Sequence, residues 1–82
     1  MTETEIRQQI FQILHRIAPE ANLEKLGLKE NLREALDIDS FDLLNVVIGI
    51  NEKFGVNIPE ADYRRVSTLQ GMIEYINKKT AP

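Results

Sequence analysis

The 82-residue chain has no cysteine, a single histidine and few aromatic residues, 6% in all. The missing cysteines exclude a disulfide scaffold. With only one histidine beside them, no cluster of the kind that holds zinc can form. No glycine-rich phosphate loop follows a strand-like run. No apolar run approaches the length that spans a bilayer, which argues against membrane insertion. The opening Met1-Thr2-Glu3-Thr4-Glu5 lacks the basic region and apolar core of a signal peptide, so a cytoplasmic location is expected. At this size the chain is expected to be one domain over residues 1–82, stable only if its helices pack densely.

Charge is plentiful but unevenly placed. Charged residues make up 28% of the chain and the net charge is −3. Between Glu30 and Asp62 eight acids face two bases, a balance of −6, while the remainder carries +3. The acidic middle would repel a nucleic-acid backbone and attract basic protein surfaces. A helix-turn-helix DNA binder would need a basic recognition helix, and the helix expected after Ser40 holds Asp42 and Glu52 against only Lys53.

Apolar spacing predicts an all-α chain without strands. Thr2 and Glu5 form a capping-box pattern, and Ile6, Ile10, Ile13, Leu14 and Ile17 then recur at helical spacing until Ala18-Pro19. Phe11 lies beside this stripe. From Pro19 to Ile38 the leucines Leu23, Leu26, Leu28, Leu32 and Leu36 are scattered among charges. This reads as a long ordered loop that plugs the core with leucines and holds at most a short helical turn. A second helix is expected from Ser40 to about Phe54, stopped by Gly55. Pro59, at a first helical position, opens a short third helix before Val66. Ser67 with Gln70 reads as the capping box of a last helix that turns Leu69, Met72, Ile73 and Ile76 inward and ends near Asn77-Lys78-Lys79. Thr80-Ala81-Pro82 is expected to fray. The fold class is thus a small four-helix bundle, three longer helices and one short, with a long first loop.

The second helix carries two apolar faces. At about 100° per residue, Leu43, Val46, Val47, Ile50 and Phe54 share one side and suit a core. Phe41, Leu44 and Ile48 share the opposite side with Asn45 and Glu52. Two readings fit that second stripe: a docking surface, or a face covered by the long loop. It begins one residue after Ser40. Asp39 as N-cap and Asp42 three residues on would close a capping box around that serine. Ser40 then stands at the first helical position, beside unpaired N–H groups at the positive end of a helix dipole, a place that suits a phosphate.

Ser40 has no general base or oxyanion hole in the sequence, and His15, on the first helix, is expected to face solvent, so the serine reads as a modified residue and not as a catalytic nucleophile. Asp37-x-Asp39 does not open a calcium loop, because Phe41, Asp42 and Ile48 occupy the positions where that loop needs a ligand, a glycine and a glutamate.

In order along the chain stand Leu36-Asp37-Ile38-Asp39-Ser40-Phe41-Asp42-Leu43-Leu44, then Phe54 before an Ile58-Pro59 turn, then Thr68 with Ile76 in a closing helix. In these motifs the sequence resembles the acyl carrier proteins over most of its length, least in the loop after Pro19. The resemblance implies a helical bundle that is not an enzyme. It implies 4'-phosphopantetheine on Ser40, transferred from coenzyme A by a phosphopantetheinyl transferase, with Asp39 as part of the motif. It also implies that acyl groups ride on the arm as thioesters and are shown to acyl-loading and acyl-processing enzymes by a monomer. Phe41, Asp42, Leu44, Asn45, Ile48 and Glu52 are the implied partner surface. Asn45, Asn51, Arg64 and Arg65 stand where fatty-acid carriers often have acids, Lys53 adds a base, and Phe41 is bulkier than usual. These departures favour a specialised lipid or secondary-metabolite pathway over general fatty acid biosynthesis. An aminoacyl or peptidyl carrier, and a regulatory docking module that carries nothing, are the alternatives.

Overall fold

A computed structural model describes residues 1–81. It contains four α-helices and two 3-10 segments, with no strand among the described residues: α1 (Glu3–Ile17), a 3-10 turn (Leu23–Lys25), α2 (Leu32–Leu36), α3 (Ser40–Phe54), a 3-10 helix (Glu60–Val66) and α4 (Leu69–Thr80). Pro82, placed by the sequence in a frayed tail, lies outside the described residues; Thr80 is the last residue of α4, and its hydroxyl donates to the Ile76 carbonyl.

The helix starts follow from short-range hydrogen bonds. The Thr2 hydroxyl accepts from the Glu5 N–H at 3.2 Å, and the Glu5 carboxylate accepts from the Thr2 N–H. Donation from that backbone N–H holds the Glu5 carboxyl below its ordinary value. The expected box at Ser67 and Gln70 does not form. Thr68 is the N-cap of α4 and accepts from Gly71 at 3.0 Å, while the Ser67 hydroxyl donates back to the Arg64 carbonyl and closes the preceding 3-10 helix. Pro59 is likewise the residue before the short helix and not its first.

The core joins Ile6, Ile10, Ile13 and Leu14 of α1 to Val46, Val47 and Ile50 of α3 and to Leu69, Met72, Ile73 and Ile76 of α4. Phe54 and Ile17 are half-buried against it, whereas Leu43, expected on the core face, is half-buried but not part of the core. Of the loop leucines, Leu26 and Leu32 are buried, Leu23 and Leu36 pack partly against the core, and Leu28 is exposed. The segment before α3 is therefore more helical than a plugged loop. Asn31 caps α2 by accepting from the Glu34 N–H at 3.1 Å, and Asn31 also bridges to Thr68. Glycine makes two close approaches possible. A Cβ on Gly49 would lie 2.8 Å from Cγ2 of Ile13, and one on Gly71 would land on the Arg65 carbonyl oxygen. Both glycines serve tight packing, Gly49 against the Ile13 side chain and Gly71 against the Arg65 backbone.

Tyr75 joins the core where the spacing argument named only its neighbours. Its ring is buried under the Arg65 guanidinium, 5.1 Å from the centroid, and its hydroxyl donates to Asp62 at 2.8 Å. That hydrogen bond to a carboxylate is the main cause that raises the Tyr75 pKa above 10.0. A raised folded-state value stabilises the fold below the unfolded pKa, and the stabilisation is lost as pH rises through the folded one. Phenolate absorbance is expected to show Tyr75 titrating above the ordinary tyrosine value, with Asp62→Asn moving it back down; an unchanged titration in that variant would contradict the assignment.

Candidate functional site

The start of α3 is built by three connecting residues. Asp37 ends α2 in the left-handed region, φ 53° and ψ 48°, and its N–H donates to the Arg33 carbonyl. Aspartate visits this region more readily than most residues because its short polar chain bonds locally, though the left-handed region still disfavours a Cβ. Ile38 follows, half-buried, and its N–H also donates to Arg33, at 3.0 Å. Asp39 is extended and caps α3. Its carboxylate accepts from the Asp42 N–H at 2.9 Å, and the Asp42 carboxylate accepts from the Asp39 N–H at 3.2 Å. Such a cap contributes about 1 kcal/mol.

Ser40 is the first residue of α3 and is exposed. A helix start leaves four backbone N–H groups without intrahelical partners. The capping box satisfies those of Asp39 and Asp42, which leaves those of Ser40 and Phe41 at the positive end of the dipole. The box closes without using the serine hydroxyl. An esterified phosphate fits this place: the oxygen is accessible, two N–H groups are available nearby, and the adjacent carboxylates are engaged with the backbone. Among the described residues, no three His, Cys, Asp or Glu side chains converge to hold a metal ion, and His15 is exposed on α1.

The second apolar stripe is uncovered. Phe41 is 76% exposed, Leu44 42% and Ile48 46%, so the loop does not fold over them. Fully burying one such side chain contributes about 1.5–3 kcal/mol, which makes the stripe a surface that gains by being covered. Asn45 and Glu52 are exposed and Asp42 half-buried. These three, with Ile48, line an open groove of about 380 Å³ against Ile13 and Ile17 of α1; Phe41 and Leu44 lie outside it. Arg16 also reaches the groove, a contact that only the antiparallel packing of α1 on α3 reveals.

Asn51, read from sequence as replacing a docking acid, and Lys53, read as an added base, both make structural hydrogen bonds. The Asn51 side chain donates to Asn57 at 2.6 Å and toward the Val56 carbonyl at 3.4 Å, fastening the turn after Gly55. Lys53 donates to the Gln12 side chain at 2.9 Å, tying α3 to α1. Asp37 was the conformationally decisive residue that periodicity alone missed. The signal available was an aspartate directly after the last leucine of α2 and two residues before an N-cap.

A family model described as "Phosphopantetheine attachment site" matches residues 6–76. The chain is similar to the acyl carrier protein of Thermosynechococcus vestitus, 29% identical over 99% of each chain. It is 34% identical to the acyl carrier protein of Thermotoga maritima, over 89% of this chain and 94% of that one. The acyl carrier protein of Chlorobium luteolum is 30% identical over 96% of this chain and all of its own. No helix among the described residues is long and apolar enough to cross a membrane.

Proposed function

Because the chain belongs to the acyl carrier protein family, we propose that Ser40 is its attachment point for 4'-phosphopantetheine and that α3 presents the loaded arm to partner enzymes. The observation that carries this reading is the exposed serine at the capped start of a helix whose next turns bear an uncovered apolar stripe. The stripe begins at Phe41, one residue after Ser40, so an exposed hydroxyl adjoins a surface that a visiting enzyme can cover.

The arm, when bound, supplies a thiol that holds acyl groups as thioesters, chemistry a cysteine-free chain cannot supply itself. Ser40 would hold the arm through its hydroxyl oxygen as a phosphate ester, the phosphate coming from coenzyme A with release of the nucleotide half. The hydroxyl proton leaves to a base of the transferase, since the flanking Asp39 and Asp42 carboxylates are engaged by the capping box. The N–H groups of Ser40 and Phe41 would stabilise the anionic ester, and Asp39 with Asp42 keeps the helix start closed beside it. Acyl-loading and acyl-processing enzymes then meet Phe41, Leu44 and Ile48, with Asp42 and Glu52 drawing basic surfaces toward the same face. The protein acts as a monomer in the cytoplasm.

The pathway is a specialised one. Phe41 and Asn45 alter the docking face itself, and Arg64 and Arg65 place exposed cations on the 3-10 helix. Asn51 and Lys53 no longer bear on that choice, since the fold uses them. Cargo decides between an acyl and an aminoacyl or peptidyl carrier. Protein isolated from its native host and weighed intact, before and after hydroxylamine, is expected to lose a thioester-linked acyl group. Release of an amino acid or peptide selects the alternative, and an unmodified chain selects the docking module that carries nothing.

The stripe itself is testable. Replacing Phe41, Leu44 and Ile48 together by serine is expected to raise the KM of the transferase for the apo protein at least about tenfold, since losing several kcal/mol of potential burial outweighs ordering costs. Helicity should be retained, because these side chains contribute little to the core. Wild-type KM in the triple variant would remove the stripe from the docking surface.

A further inference from the structure

We infer that Asp37 is a positioning residue for the modification of Ser40, and that its left-handed backbone turn, not its charge, does the positioning. This rests on the reading of Ser40 as the attachment point. Asp37 is the one non-glycine with positive φ among the described residues. It sits where α2 hands the chain to α3 through only Asp37, Ile38 and Asp39.

Three residues leave no slack. Fully extended they span roughly 10 Å, and here the chain also turns at the C-terminal cap of α2. The turn is visible in the two N–H groups, of Asp37 and Ile38, that both return to the Arg33 carbonyl. It sends Ile38 into the cleft it shares with Leu36, Asp42 and the end of α1. Only then does Asp39 run extended, φ −96° and ψ −175°, with its carboxylate on the Asp42 N–H. The capping box that fixes Ser40 at the first position of α3 therefore depends on a backbone conformation three residues upstream.

Side chains differ in their tolerance of that conformation. Glycine adopts it freely and asparagine readily, whereas a β-branched residue crowds its own backbone there. In Asp37→Val the link should leave the left-handed region, open the box and fray the first turn of α3. Ser40 would then leave the helix start while Leu44 and Ile48 stay on intact helix. A docking enzyme would still bind but would find the hydroxyl misplaced, so kcat should fall with KM nearly constant. Misplacing a reacting group commonly costs about tenfold to a hundredfold. The competing explanation is electrostatic: Asp37 is exposed and acidic, and could serve only to attract a basic transferase.

The test uses the apo form of the full chain, coenzyme A and a broad-specificity phosphopantetheinyl transferase, with kcat and KM read by mass. Amide chemical shifts are recorded for each protein without the transferase. Asp37→Gly and Asp37→Asn are expected to keep wild-type kcat and wild-type shifts at Ile38 to Asp42. Asp37→Val is expected to lose about tenfold or more in kcat, with shifts displaced over those residues and unchanged in α4. Asp37→Ala, milder in its backbone penalty, should fall between, and it keeps the comparison intact if the valine variant unfolds. Equal losses in the glycine, asparagine and valine variants would overturn the inference in favour of charge. Wild-type shifts and kcat in the valine variant would overturn it outright. If the wild-type chain accepts no phosphopantetheine, the attachment reading fails by itself, and the shifts of the Ser40 and Asp42 amides still decide whether Asp37 sets the helix start.

Discussion

Ser40→Ala is expected to abolish phosphopantetheinylation completely while changing stability by no more than about 0.5 kcal/mol, the range of surface substitutions that break no special feature. Both halves follow from the same geometry. The hydroxyl is the only part of Ser40 that the proposed chemistry needs, and no other side chain at the helix start can take over its ester bond. The fold, by contrast, does not use the hydroxyl: the cap runs between Asp39 and Asp42. Alanine is also a good helix former at an exposed position. Intact mass after reaction with coenzyme A reads the first half, and a urea melt reads the second. A variant that still gains the arm would move the attachment point elsewhere. One that unfolds would show the serine to be structural.

Gly71→Ala should act in the opposite sense, leaving the chemistry alone and damaging the fold. Replacing an internal helix glycine by alanine would ordinarily stabilise by about 1 kcal/mol. Here the added carbon would occupy the place of the Arg65 carbonyl oxygen, and Thr68 Oγ1 would lie 3.1 Å away. Backbone cannot swing aside as a side-chain tip can. The 3-10 helix must retreat from α4, which strains the Asp62–Tyr75 hydrogen bond that joins them. Overpacking of this kind commonly costs about 1–3 kcal/mol, enough to outweigh the propensity gain. We expect a net loss of up to about 2 kcal/mol, read as a melting temperature lower by up to roughly 10 °C in a domain of this size. Gly49→Ala should cost less, because its neighbour is the side chain of Ile13. A Gly71→Ala protein more stable than wild type would mean that the two elements are not in contact as described.

These cases also mark where the sequence was legible. α1, α3 and α4 could be read because each carries an apolar stripe long enough to establish a period, and Gly55 stands at the left-handed stop of α3, φ 68°. The capping box around Ser40 was readable from residue types three apart. The uncovered stripe needed the structure, since sequence could not say whether the loop covered Phe41, Leu44 and Ile48. α2 escaped because five residues with two leucines show no period, and its evidence lies in the Asn31 cap and the bridge to Thr68. Ser67 and Thr68 both suit an N-cap by type; the choice falls to Thr68 because the Ser67 hydroxyl is drawn back to Arg64. Asn51 could be compared with an acid in sequence and Lys53 read as an added base, but their partners Asn57 and Gln12 are set by the turn and by helix packing.

The central claim concerns one oxygen atom. Apo protein incubated with coenzyme A and a broad-specificity phosphopantetheinyl transferase, weighed intact and then fragmented, tests it most directly. The expected result is a single added phosphopantetheine, located on Ser40 and absent from every other serine, threonine and tyrosine. A folded chain that gains no mass, or gains it at another residue, would contradict the account.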